Sequence, residues 1–218
     1  MKSHDCERAA GIYRFLSLAS VYDLVQSAVG STKARRTVVN DYFGPAADLR
    51  ILDVGCGTAQ LFRHLSGSVY HGFDPNPAYI STARRAFGDS IHVWQATIGQ
   101  PALPDGRKYD IVHAGGVAHH VDDDTAARLF QLAAECLKPL GKLVTIDPCL
   151  YDGQSLLSRA VVKRDRGRFV RNPGEYEGLA KPAFENIESL VRNDLLRIPY
   201  SHLVMVATGP KPAAASAL

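Results

Sequence analysis

The sequence has few of the residues that form disulfide frameworks, zinc sites or membrane spans. It contains only four cysteines, and none of them forms a CxxC pair: Cys6, Cys56, Cys136 and Cys149. This spacing favours reduced thiols in a cytosolic protein. No apolar run approaches the roughly 18 residues that cross a bilayer, and residues 1–8 lack the apolar stretch of a signal peptide. These absences predict a cytoplasmic protein without a membrane partner.

The sequence also lacks a strong net charge. The formal charge of +3 is small for a protein that binds nucleic acid, so we expect no nucleic-acid partner. One basic cluster between residues 159 and 171 stands out against the single acid Asp165: Arg159, Lys163, Arg164, Arg166, Arg168 and Arg171. The cluster is either a solvated helical face or a site that recognises a carboxylate or phosphate group through arginine.

Short β-branched runs alternate with longer helical patterns in the middle of the chain. Strands are predicted at residues 51–54, 69–73, 91–94, 109–114 and 142–146, and helices at 59–66, 77–87 and 123–137. Such alternation is typical of parallel βαβ units in a doubly wound α/β sheet. A length of 218 residues fits one such domain.

The two ends of the chain break this alternation. Two helices are predicted before residue 50, at 8–18 and 22–42, and two apolar runs at 187–198 and 203–207 predict a closing antiparallel hairpin. We therefore expect a single domain over residues 1–209. It comprises a helical cap (1–46), an α/β core (50–148), an insertion (149–185) and the hairpin (186–208), with a disordered tail at 210–218.

A glycine turn follows the first predicted strand. Gly55 and Gly57 allow a tight turn into a helix start, whose free N–H groups can hold a pyrophosphate or a carboxylate. The dinucleotide fingerprint needs a third glycine where this chain has Gln60. Asp53 would repel a pyrophosphate but suits a ligand that carries an ammonium group.

The segment ILDVGCGT at residues 51–58 resembles the first motif of class I S-adenosylmethionine-dependent methyltransferases. The resemblance continues through the strand ending at Asp74, the YDIV strand at 109–112 and the LKPLGK segment at 137–142. It implies a Rossmann-like seven-stranded sheet, mostly parallel, with an antiparallel C-terminal hairpin. It also implies S-adenosylmethionine as the cofactor.

The same resemblance implies the residues that hold this cofactor. Asp74 is expected to accept hydrogen bonds from the ribose hydroxyls, whereas Asn76 is the better candidate to cap the following helix. Thr97 stands where the family often has an aspartate for the adenine amino group, and its hydroxyl is a weaker acceptor. The complete predicted set is Tyr22, Asp53, Gly55, Gly57, Asp74, Pro75, Thr97 and Gly115.

His119 and His120 follow the fourth predicted strand, at the edge of the sheet where ligands of open α/β sheets bind. Either imidazole is a candidate base for a hydroxyl nucleophile. The alternative is that both pack beneath the cofactor and the enzyme works by positioning alone. Asp122–Asp124 are expected to cap the next helix, so no metal is predicted.

The resemblance also implies that the core at 50–148 binds the cofactor and that the insertion at 149–185 forms a substrate lid. This lid and the hairpin supply the candidate substrate-binding residues Tyr151, Arg164, Arg168 and Tyr200. The favoured function is methyl transfer to a small molecule, on oxygen, with an acidic group on the substrate as one hypothesis. Two alternatives stay open. One is a non-methylating role on the same fold, as a cyclase, an isomerase or a partner subunit. The other is methylation of RNA or protein. The sequence does not indicate an oligomeric state.

Overall fold

The computed structural model describes residues 29–45, 47–100, 103 and 108–212. Most of the predicted helical cap, including Tyr13 and Tyr22, lies outside the described residues, as do residues 213–218 of the predicted tail. Within the described part of the chain, no helix is long and apolar enough to cross a bilayer.

Seven strands form one sheet. They are β1 (Arg50–Val54), β2 (Val69–Asp74), β3 (His92–Gln95), β4 (Tyr109–Gly115), β5 (Leu137–Pro148), β6 (Phe184–Arg192) and β7 (His202–Pro210). Their spatial order is β3-β2-β1-β4-β5-β7-β6. The pairs from β3 to β5 are parallel, and β7 is antiparallel to both β5 and β6. The carboxyl ends of β1, β2, β4 and β5 therefore meet at one edge of the sheet.

Helices cover both faces of this sheet. The described α-helices are α1 (Ser31–Val38), α2 (Pro77–Phe87), α3 (Asp123–Cys136), α4 (Leu156–Val162) and α5 (Pro173–Ala180). Side chains of α1 and α2 pack with Ile51, Ile111 and Val204 on one face. Side chains of α3 and α5 pack with Leu52 and Val112 on the other. Alternate residues of the buried strands thus serve two apolar layers, as in other doubly wound sheets.

The predicted α/β fold with a mostly parallel sheet and an antiparallel C-terminal hairpin is confirmed. Two local predictions were wrong. The helix predicted at 59–66 is a short 3-10 helix, Gln60–His64, because Ala59 before it is in the left-handed region at φ 57°. The hairpin turn predicted at 199–202 is a longer connection, because β6 ends at Arg192 and β7 begins at His202. The insertion contains α4 and α5.

Residues 163–172, between α4 and α5, form a strap that lies against the loop after β4. Phe169 donates its backbone N–H to the carbonyl of His119 at 3.0 Å. A Cβ atom on Gly167 would lie 2.0 Å from Cδ2 of His119, so only glycine permits this close approach. The strap therefore holds the β4 loop from outside through backbone contacts.

Arg171 anchors the C-terminal end of the strap. Its side chain is 6% exposed, and its guanidinium donates to the carbonyls of Ala118, Val121 and Phe169 at 2.7–3.1 Å. It also donates to a carboxylate oxygen of Asp123 at 2.7 and 2.9 Å. Arg171 belongs to the basic cluster seen in the sequence, but its hydrogen bonds connect the strap to the loop after β4 and to α3.

Arg171→Lys should lower the free energy of unfolding by about 2–4 kcal/mol, because lysine lacks the planar fork and leaves buried carbonyls without a donor. Arg168→Lys is the matched control, since Arg168 is exposed on the same strap, and it should change stability by less than about 0.5 kcal/mol. Urea unfolding measures both values. Equal effects of the two substitutions would contradict an anchoring role for Arg171.

Candidate functional site

The loop between β1 and the 3-10 helix is a tight turn at the carboxyl edge of the sheet. Gly55, Gly57 and Ala59 have φ values of 69°, 55° and 57°. The N–H groups of Gly55 and Cys56 both donate to the carbonyl of Phe73, at 2.8 and 3.0 Å. A Cβ on Gly55 would lie 2.6 Å from Cγ2 of Val117, whereas one on Gly57 would meet nothing within 4 Å. Gly57 therefore borders open space that a ligand can occupy.

Asp74, at the end of β2, faces this loop. One carboxylate oxygen accepts the N–H of Gly57 at 3.0 Å, and the other accepts the N–H of Asn76 at 2.8 Å. Burial raises the pKa of Asp74, and the two backbone hydrogen bonds partly offset that rise. Asn76 caps α2 by accepting the N–H of Ala78 at 2.9 Å, which confirms the predicted capping role of Asn76.

These residues fit S-adenosylmethionine. A carboxylate has about four acceptor positions, so Asp74 can accept two ribose hydroxyls beyond its backbone bonds. The open side of Gly57 allows a ligand to approach the backbone closely. Pro75 and Thr97, which follow β2 and β3, are exposed next to this edge. The backbone N–H of Ala96 donates to the carbonyl of Asp74 at 3.2 Å, so the ends of these two strands are connected.

Asp53 lies beneath the loop and is 4% exposed. Its oxygens contact Nδ1 of His113 at 2.7 Å and the hydroxyl of Tyr70 at 2.5 Å. Burial, together with the neighbouring Asp53 carboxylate, raises the pKa of Tyr70, which remains a hydrogen-bond donor. The contacts of Asp53 are thus with β2 and β4, which favours a role in holding the loop over direct contact with a ligand ammonium group.

His119 is buried between two carboxylates. Its Nδ1 lies 2.8 Å from an oxygen of Asp147 at the end of β5, and its Nε2 lies 3.2 Å from Asp165 in the strap. Burial lowers the pKa of His119, but the hydrogen bonds to Asp147 and Asp165 raise it more, to about 9. Tyr200 donates to the second oxygen of Asp165 at 2.6 Å. His119 is therefore protonated at neutral pH and cannot accept a proton there.

His120 is the exposed neighbour of this group. Its ring lies 4.0 Å from that of His119, centroid to centroid. Partial desolvation and the positive charge of His119 lower the pKa of His120 to about 4. It is therefore neutral at pH 7, so the structure separates two histidines that the sequence left equivalent. Gly115 is exposed at the end of β4, where a Cβ would lie 2.7 Å from Cε1 of His113.

The four predicted substrate residues do not form one pocket among the described residues. Tyr200 is buried against Asp165, and Tyr151 is half-buried with its hydroxyl 3.2 Å from Nδ2 of Asn193. Arg164 and Arg168 are exposed. The structure brings Tyr200 close to the His119 group and leaves the two arginines on the surface.

Three important residues were missed by the sequence analysis: His113, Asp147 and Asp165. His113 lies on the same face of β4 as Ile111, so a polar residue within an otherwise apolar strand was the available signal. Asp147 lies just beyond the predicted fifth strand, at the carboxyl end where ligands bind. Asp165 had no signal, because only the folded strap brings it to His119.

Comparison with known proteins agrees with this geometry. Residues 51–141 match the family model described as a methyltransferase domain. A comparison with curated protein sequences finds no match.

Several solved structures share the fold. The pyocyanin biosynthetic protein PhzM has a TM-score of 0.72 and 15% identity, over 93% of this chain and 62% of that one. Human N-acetylserotonin methyltransferase, solved with S-adenosylmethionine, has a TM-score of 0.67 and 19% identity, over 92% and 58%. The mitomycin 7-O-methyltransferase MmcR has a TM-score of 0.63 and 20% identity, over 89% and 60%.

The chain thus spans about 60% of the length of each of these three proteins. Residues 51–141 thus match the model of a methyltransferase domain, and the chain shares the fold of these three proteins.

Proposed function

We propose that this protein transfers a methyl group from S-adenosylmethionine to an oxygen atom of a small molecule. The observation that carries the proposal is the pairing of the Asp74 carboxylate with the N–H of Gly57, beside open space, at the carboxyl edge of the sheet. The cofactor, when bound, supplies a methyl group on a positively charged sulfur. Because that leaving group is already good, the protein has mainly to align the acceptor and exclude water.

An oxygen acceptor is supported by two separate points. One structural neighbour is by name an O-methyltransferase. In addition, His120 is exposed and neutral at the edge where the methyl donor binds, so it can accept a proton from a hydroxyl group. We therefore assign the role of proton acceptor to His120.

His119 has a different role in this proposal. Its protonated ring joins Asp147 of β5 to Asp165 of the strap and so fixes the loop that carries His120. Its backbone N–H also donates to Asp147 at 3.1 Å, which adds a second tie between this loop and β5. His119 is thus a positioning residue that acts through His120.

The strap favours a small substrate. It is tied to the β4 loop by Asp165, Gly167 and Arg171, and this closes one side of the site. Arg164 and Arg168 are exposed, so their contact with an acidic group on the substrate stays a prediction. The remaining cofactor contacts proposed from the sequence are those of Pro75, Thr97 and Gly115 at the same edge, and of Tyr22 from the cap.

Formation of S-adenosylhomocysteine from S-adenosylmethionine tests the proposed function directly, with a panel of hydroxylated small molecules as acceptors. Turnover that depends on a hydroxyl-bearing acceptor supports it. Cofactor binding without turnover for any acceptor would instead favour a cyclase, an isomerase or a partner subunit on the same fold.

Asp74→Ala should weaken S-adenosylmethionine binding by roughly 1.5–3 kcal/mol, because two ribose donors lose a charged acceptor. Isothermal titration calorimetry measures the change. Asp89→Ala is the matched control, since Asp89 is an exposed acid beyond α2, and it should leave the affinity unaltered. If both variants bind as tightly as the wild type, Asp74 does not hold the ribose.

His120→Ala should lower kcat by about 10²–10⁴-fold with little change in cofactor affinity, because the hydroxyl loses its proton acceptor. With His120 at a pKa of about 4, kcat of the wild type should stay level as the pH falls from 8 to about 5. Steady-state kinetics across this range provide the measurement. A wild-type kcat that halves near pH 6.5 would show that His120 has an ordinary pKa, and retention of full kcat in His120→Ala would remove it as the base.

The raised pKa of His119 also predicts how stability depends on pH. Because the folded state binds this proton more tightly, the contribution to stability is complete below pH 6.5 and is lost as the pH rises through about 9. The loss is up to about 3 kcal/mol in the free energy of unfolding. Urea unfolding at several pH values should show it in the wild type and not in His119→Gln.

The exposed His92 provides the control for this measurement, because its replacement by glutamine should leave the wild-type pH dependence intact. A wild type and a His119→Gln variant with parallel stability curves from pH 6.5 to 9.5 would show that His119 does not bind its proton unusually tightly.

A further inference from the structure

The helix α4 exposes two leucines. Leu156 is 86% exposed and Leu157 is 64% exposed. The opposite side of the helix is fixed: Val162 is 1% exposed, and Oγ of Ser158 lies 2.7 Å from Oγ of Ser201 in the connection before β7. The helix is therefore held in one orientation, and the two leucines cannot turn into the core.

Two basic side chains at the start of the strap, Lys163 and Arg164, extend the exposed face of α4. The backbone N–H groups of Lys163 and Arg164 donate to the carbonyls of Arg159 and Val161, each at 3.0 Å, so helical geometry continues past the end of α4. Helical spacing then places Lys163 and Arg164 on the side of Leu156 and Leu157. We call Leu156, Leu157, Ala160, Lys163 and Arg164, all exposed, the α4 face.

The charge on this face is not neutralised within the described part of the chain. Lys163 and Arg164 take part in no ion pair there, and neither does the exposed Arg168 that follows in the strap. The acid between them, Asp165, is directed inward to His119 and Tyr200. Asp152, before the helix, is the nearest exposed acid in the sequence.

We propose that the α4 face docks the protein on an anionic membrane surface. Leucine side chains beside lysine and arginine are the combination that places a helix in the interface of a bilayer, with apolar tips among the acyl chains and charged heads at the lipid phosphates. Each basic residue near an anionic leaflet strengthens the attraction. Leucine side chains cannot stack on bases as aromatic side chains do, so a face with two exposed leucines does not fit a single-stranded nucleic acid.

This inference is independent of methyl transfer. It also revises the expectation from the sequence that no membrane is involved, which rested on the lack of a long apolar run. Such a run is needed to cross a bilayer, whereas docking on its surface requires only a short apolar face with basic neighbours.

Vesicle flotation of the full-length protein tests the proposal, with vesicles of phosphatidylcholine alone or mixed with phosphatidylglycerol. The wild type should float with the anionic vesicles and much less with the neutral ones. Leu156→Ser/Leu157→Ser should reduce the partition coefficient at least about tenfold, because little apolar area is left to insert. Lys163→Gln/Arg164→Gln should reduce it by a similar factor at low salt.

Two variants on other surfaces are the matched controls. Leu140→Ser removes a fully exposed leucine elsewhere, and Arg36→Gln/Arg85→Gln removes two exposed charges from α1 and α2. Both should bind vesicles like the wild type, and all variants should keep the wild-type Tm. The proposal is overturned if the wild type does not bind anionic vesicles, or if the two control variants lose as much vesicle binding as the variants of the α4 face. Binding to polyglutamate but not to vesicles would point to an acidic protein partner instead.

Discussion

The imidazole of His119 lies between the carboxylates of Asp147 and Asp165, and this contact joins three segments that are distant in the sequence. One segment is the loop after β4, the second is the carboxyl end of β5, and the third is the strap. A buried cation between a buried and a half-buried carboxylate is stable only while all three groups are present, because removal of one partner leaves an uncompensated charge in a desolvated position. The geometry of the edge that carries the chemistry therefore depends on this group.

A second buried polar group supports the cofactor loop from below. Asp53 connects β1 with β2 and β4 through Tyr70 and His113, on the face that α1 and α2 cover. The loop above is thus held by strands on both sides of β1. Both groups follow the same physical rule: a polar side chain can be buried at the end of a strand when neighbouring strands supply its partners.

The strap connects the catalytic edge with the outer surface of the domain. Two residues of the strap point inward and have all their polar atoms paired: Arg171 is buried and Asp165 is half-buried. Arg164 and Arg168, in the same segment, are exposed. The same short segment can therefore position the loop of His120 and present positive charge to an external surface.

The amino-acid sequence by itself determined the sheet, the closing hairpin and the position of the cofactor loop, because these follow from local hydrophobic periodicity and from a compact glycine motif. It also identified Asn76 correctly as the cap of α2, since helix capping is a local property. Only the tertiary structure gives His119 and His120 different surroundings, which raise the pKa of His119 and lower that of His120. Their difference arises from Asp147 and Asp165, which approach His119 from residues 28 and 46 positions away, and no local pattern records such long-range electrostatic contacts.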